Sequence, residues 1–152
     1  MIKAIQKRLA GDAGFTLIEL MVVVMIMAIL IAIAIPSFLG FRRSAQDRSA
    51  QSDIRNVLLA EKAIWLEEGD YTADAADVNA FEPTAVLNAD PTLGVTVRLN
   101  GTDIVCIERT SDSGTTFGIW ESSTAGTYYG KTDLSGADCP AAAPAGYTQG
   151  GW

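Results

Sequence analysis

The chain contains no histidine and only two cysteines. Without an imidazole, Ser-His-Asp and Cys-His nucleophile pairs cannot be built, and the commonest zinc and iron ligand sets lose their main donor. Cys106 and Cys139 stand far apart and form no CxxC motif, which removes metal knuckles and thioredoxin-like redox sites. One disulfide is the better reading, with two buried free thiols as the alternative. Positive charge is also scarce: 11 Lys and Arg face 18 Asp and Glu, a formal net charge of −7. No broad basic surface is available to hold phosphates, so nucleic acid is disfavoured as a partner. Isolated acids such as Glu108 and Asp112 read as surface charges. These gaps leave no catalytic constellation, no cofactor, no metal site and no small-molecule substrate in view, and the chain reads as a non-enzyme.

One long apolar run is present instead. Residues 15–35 read FTLIELMVVVMIMAILIAIAI, with Glu19 as the sole charge. At ~1.5 Å per helical residue the run covers about 31 Å, close to the hydrocarbon core of a bilayer. A helix apolar on every face cannot be the surface helix of a small soluble domain; it must lie in lipid or in a multi-subunit core. The residues before it carry Lys3, Lys7 and Arg8 against Asp12, like the basic start of an export signal. The order of parts differs from ordinary secretion, because the small-residue junction Ala13-Gly14 precedes the apolar run. Cleavage there would keep the helix in the product.

The stretch Gly14-Phe15-Thr16-Leu17-Ile18-Glu19 resembles the processing motif of type IV prepilins and the related pseudopilins. The resemblance implies cleavage after Gly14 by a prepilin peptidase and N-methylation of Phe15. Loss of three basic residues and one acidic residue with the leader would move the net charge from −7 to −9. Glu19 then has two readings, since an ionised carboxylate at bilayer depth costs roughly 2.5–3.5 kcal/mol and needs relief. Locally, Thr16 as N-cap and Glu19 three residues on form a capping box at the positive end of the helix dipole. In the family, the carboxylate pairs with the charged amine of Phe15 on a neighbouring copy and registers incoming subunits. The fit of the whole motif favours this second role, and both can hold at different stages.

Pro36 and Gly40 predict a bend or a locally unwound stretch. Either the membrane helix ends at Pro36, or one long helix continues through a weak point that can stretch in a filament. Flanking charge does not orient the helix, because Lys3, Lys7 and Arg8 are matched by Arg42, Arg43 and Arg48. The cysteine pair does, favouring an oxidising compartment for the head and leaving the leader in the cytoplasm.

Beyond Gly40, Ile54, Val57, Leu58, Ile64 and Trp65 recur at helical spacing, and Gly69-Asp70 supplies a stop. Residues 71–91 read as an irregular connection. Asp70, Asp74, Asp77 and Glu82 within or beside it miss calcium-loop spacing and read as solvated acids. VTVRL and TDIVCIER flank Asn100-Gly101, a hairpin signal that also explains the Asn100-Gly101-Thr102 sequon without glycosylation. TTFGIWE and TYYGKTD predict two more strands, completing a four-stranded antiparallel meander. A Cys106–Cys139 bridge would fasten the C-terminal region to the second strand and contribute roughly 3–4 kcal/mol. It also resembles the pilin disulfide that encloses a variable loop, here residues 107–138. The Pro-, Ala- and Gly-rich tail past Cys139 reads as flexible or adhesive.

The fold class expected is α+β. A long N-terminal helix, half membrane or filament core and half amphipathic, packs on a four-stranded antiparallel sheet. Residues 1–14 are the leader, 15–40 the core helix and 41–152 the head, itself divided into helix 41–68, loop 69–92 and sheet region 93–152. The resemblance implies copies of the same chain as partners, along with the peptidase, membrane lipid before assembly, and an inner-membrane platform with its ATPase acting indirectly. It places the precursor in the inner membrane and the product in an extracellular filament. A type II secretion pseudopilin, a minor or competence pilin, or a membrane-anchored binding module are the alternatives. Motility, adhesion, DNA uptake and secretion stay open as roles.

Overall fold

A computed structural model describes residues 14–132, 134 and 138–152. The expected leader, with Lys3, Lys7, Arg8, Asp12 and Ala13, lies outside the described residues. Helix α1 is Leu17–Glu68, α2 is Ala75–Phe81, and four strands follow: β1 Thr96–Asn100, β2 Ile104–Thr110, β3 Thr116–Ser122 and β4 Gly126–Gly130. The architecture is α+β and pilin-like, a long N-terminal helix with a four-stranded antiparallel sheet. The chain divides into two compact units between Gly40 and Phe41. In the first, α1 is an exposed apolar rod. In the second, its continuation from residue 41 to 68 packs on the head.

Within the head, α1 buries Ala50, Ile54, Val57, Leu58, Ala60 and Ile64, spaced so that they share one face. They meet Val105, Ile107, Phe117 and Ile119 from β2 and β3. Each large aliphatic side chain removed from water contributes roughly 1.5–3 kcal/mol. The sheet runs β1-β2-β3-β4, every pair antiparallel, as the meander predicts. The hairpin register differs in detail. Asn100 pairs with Ile104 inside the ladder, and Gly101-Thr102-Asp103 form the loop, with Gly101 at φ 66°. That φ lies in the left-handed region, which glycine enters without steric cost.

Three expectations are corrected. Residues 71–91 are not irregular throughout, because Asp74 caps α2 by accepting from the Ala76 amide at 2.8 Å, and α2 buries Val78 completely. The signal was the Asp followed by Ala-Ala-Asp-Val, a cap ahead of a good helix former. Glu108 is not a surface charge: it is wholly buried, paired with Arg98 and accepting from the Leu134 amide. Alternation places Glu108 with Cys106 on the face of the sheet away from α1, a face a bare meander would leave wet. The C-terminal segment covers that face, and the acid is buried with it. The tail is not loose either. Thr148 exchanges two backbone hydrogen bonds with Tyr129, and the Trp152 indole donates to the Gly130 carbonyl at 2.8 Å. Trp152 packs edge-on to Phe117 and Tyr129, with Arg55 4.7 Å above its ring.

The Tyr147 ring lies across a glycine pair, Gly118 opposite Gly130 in the β3–β4 ladder. Its hydroxyl donates to the Thr132 carbonyl at 2.9 Å. A Cβ on Gly130 would come within 2.2 Å of the ring, and one on Gly118 within 2.1 Å of the hydroxyl. Gly130→Ala is therefore expected to cost about 1–3 kcal/mol by overpacking. Denaturant titration should show that cost shrinking in a Tyr147→Ala background, since the two sites share one contact; an equal cost in both backgrounds contradicts the packing.

Glu61 is the buried residue on α1 that the apolar stripe did not signal. It is fully covered, one oxygen accepting from the Thr72 amide at 3.1 Å and the other without a hydrogen-bond partner. Burial, outweighing the Thr72 bond and helped by the nearby Asp77 charge, pushes its carboxyl up to about 7. The Tyr71 phenol is raised too, by burial and then by the Glu121 and Glu61 charges. Because the folded-state value for Glu61 exceeds the ordinary 4.5, its contribution is fully present below pH 4.5 and is lost as pH rises to about 7. Over that window the loss approaches about 3 kcal/mol. Denaturation of the chain in micelles should show this decline, and Glu61→Gln should flatten it; an unchanged slope in the variant contradicts the assignment.

Candidate assembly segment

The start of α1 is set by short-range chemistry. The Thr16 amide donates to a Glu19 carboxylate oxygen at 2.9 Å, the Thr16 hydroxyl donates to the same oxygen at 2.8 Å, and the Glu19 amide donates to the Thr16 hydroxyl at 3.2 Å. This is the reciprocal capping box predicted from the Thr-x-x-Glu spacing, and it satisfies two amides that the first turn leaves free. All three contacts involve Thr16, and the two that reach the carboxylate use one oxygen, Oε2; Oε1 has no hydrogen-bond partner among the described residues. Gly14 and Phe15 precede the helix, with Phe15 87% exposed. Phe15 alone therefore stands between Gly14 and the capping residue Thr16.

From Phe15 to Ile35 every large apolar side chain faces outward. The least exposed, Ile31, is still 49% accessible. Among the described residues α1 alone is long and apolar enough to cross a membrane. Exposed apolar surface on this scale marks a region meant for lipid or for other protein.

Helix α1 continues without interruption past Pro36 and Gly40, so it does not end at Pro36. The proline lacks an amide hydrogen and leaves the Ala32 carbonyl without its helical donor. One residue on, the Ser37 hydroxyl donates to the Ile33 carbonyl at 3.4 Å. A Cβ on Gly40 would meet nothing within 4 Å.

At the other end of the chain Cys106 and Cys139 form a disulfide, their Cα atoms 5.5 Å apart. Both are buried with Trp120, Leu134 and Tyr147. Two bonds that cysteine spacing does not signal secure the junction. The Asn100 side chain donates to the Cys139 carbonyl at 2.7 Å, and the Trp120 indole donates to the Pro140 carbonyl at 2.8 Å. Asn100 thus serves the bridge as well as the hairpin. Of the acids considered for calcium, Asp74 caps α2, Asp77 accepts from Thr72, and Glu82 accepts from Thr84. No group of three or more His, Cys, Asp or Glu converges as a metal site among the described residues.

Comparison with known proteins agrees with the segment's chemistry. A family model described as the prokaryotic N-terminal methylation motif matches residues 9–35. The chain is 41% identical over 72 residues to the type IV major pilin protein PilA of Myxococcus xanthus, covering 47% of this chain and 32% of that one. It is 35% identical over 63 residues to the type IV wide pilus major component PilA4 of Thermus thermophilus, covering 41% and 48%. It is also 35% identical over 82 residues to the type II secretion system core protein G of Aeromonas hydrophila, covering 53% and 56%. The chain spans about a third to somewhat over half the length of these relatives. Residues 9–35 thus match the prokaryotic N-terminal methylation motif, on a chain of pilin-like α+β fold whose sequence is similar in part to type IV pilins and type II secretion core proteins.

Proposed function

We propose that the chain is the structural subunit of a type IV pilus-like filament. On this reading it is cleaved after Gly14 by a prepilin peptidase, methylated on Phe15, and polymerised through residues 15–35. The carrying observation is the exposed apolar helix that holds a single carboxylate near its start. Before assembly the helix rests in the inner membrane; afterwards it lies in the filament core, so subunit contacts replace lipid contacts without passing the apolar surface through water. An assembly platform and its ATPase supply the extraction. The oxygen of Glu19 left over from the capping box suits the charged amine of Phe15 on a neighbouring copy, which lets cap and intersubunit pair coexist. Pro36 and Gly40 supply a weak point for stretching.

The disulfide-closed C-terminal region favours a pilus subunit. The likeness to core protein G supports a type II secretion pseudopilin as the second reading.

Glu19→Ala tests the assignment. The variant should be processed and inserted normally, while surface filament falls by more than about tenfold, because removing one partner of an ion pair in an apolar setting costs about 3–5 kcal/mol. Thr16→Ala, which removes the cap and keeps the carboxylate, should retain most assembly. Unchanged filament yield from Glu19→Ala would remove the carboxylate from assembly, absence of filament even in the wild type would point to a membrane-anchored binding module, and equal loss from both variants would reduce Glu19 to a helix cap.

A further inference from the structure

Four of the eight basic side chains in residues 41–152 are committed, and of the other four Lys131 stands apart, exposed just past β4. Arg55 lies over the Tyr129 and Trp152 rings, Lys62 pairs with Glu121 at 3.1 Å, Arg98 with Glu108 and Arg109 with Asp53. Arg42, Arg43 and Arg48 are exposed and have no ion-pair partner among the described residues. The nearest acids do not neutralise them: Asp47 accepts from Ser113, and Asp112 shares a groove with Arg42 without pairing to it. Three free guanidiniums therefore fall within one short stretch of α1, on a chain that is otherwise strongly acidic.

Their placement separates two kinds of partner. At about 100° per residue, Arg43 stands about 100° and Arg48 about 240° round the helix from Arg42. They encircle the helix instead of lining one side. A neighbouring protein would meet a stripe, whereas a plane of negative charge pierced by the helix would meet a ring. The height along the chain agrees. Counted along the sequence from the helix start at Leu17, the residues up to Arg42 amount to about 38 Å at ~1.5 Å per residue, close to the hydrocarbon core of a bilayer plus part of its headgroup layers. Phe41, directly before Arg42, is 75% exposed and adds apolar surface beside the arginines.

We propose that Phe41, Arg42, Arg43 and Arg48 form a collar that binds anionic phospholipid headgroups at the outer face of the membrane before assembly. The collar rests on the reading that residues 15–35 occupy a bilayer at that stage. It offsets the repulsion between an acidic head and an acidic lipid surface, and holds the helix at a fixed depth.

Mature chain reconstituted in nanodiscs of mixed phosphatidylcholine and phosphatidylglycerol, then released for native mass spectrometry, tests it. Wild type should retain phosphatidylglycerol in preference. The combined Arg42→Gln, Arg43→Gln, Arg48→Gln variant should still insert yet lose that preference, about fivefold for each guanidinium. Lys131→Gln should keep it. Equal phosphatidylglycerol retention by wild type and the triple variant overturns the collar and leaves the membrane reading standing; failure of wild type to insert overturns both. A triple variant that keeps its lipid preference but no longer cross-links to a second copy assigns the arginines to a subunit contact and also overturns the collar.

Discussion

Water cannot be the final environment of residues 15–35, and most of the molecule is arranged around that constraint. Every face of this helix is apolar and outward-facing, and the single carboxylate sits at its start, held by Thr16. Capping relieves the backbone amides of the first turn, but covers none of the apolar surface along the rest of the run. Only lipid or other helices can do that. On the proposed reading, cleavage ahead of the helix keeps the problem in the mature form, and a filament core would solve it for all copies together. The energetic logic of that proposal is an exchange of one apolar neighbour for another, so assembly from a membrane would need no large net driving force from burial.

The head answers a separate difficulty. Four short strands and half a helix form a small core, and the sheet would have one face open to water. The C-terminal segment closes that face. Cys139 ties it to β2, Asn100 and Trp120 hold the carbonyls beside the bridge, and Tyr147 fills the trough left by Gly118 and Gly130. Trp152 then returns to the other side, against Phe117 and Tyr129. Burial on both faces carries polar groups inward as well. Glu108 finds Arg98 on the adjacent strand, while Glu61 keeps one oxygen without a partner and is held protonated into the neutral range.

Much of this was legible in the residues. The apolar run, the Thr-x-x-Glu cap, the stripe of Ile54, Val57, Leu58 and Ile64, and the four-strand meander all follow from local periodicity and turn chemistry, and each depends on neighbours within a few positions. What could not be read depends on contacts distant in sequence. Glu108 looks like any strand-edge acid until a segment some thirty residues away covers it, roughly the separation of Cys106 from Cys139. The tail's Pro, Ala and Gly composition hides the work of Tyr147 and Trp152, because two aromatics suffice to anchor it. Glu61 sits at a core position of a helix whose polar residues otherwise face out, and nothing in the periodicity distinguishes it. Short α2 was masked by its acidic, alanine-rich composition, although Asp74 marked its start.

The central claim is that the apolar helix remains on the finished product and joins its copies. Intact-mass and N-terminal sequencing of fibres sheared from the cell surface addresses it directly. The account predicts a chain beginning at N-methylated Phe15 with the Cys106–Cys139 bridge present. Fibre subunits that begin at Met1, or that have lost residues 15–36, would contradict it.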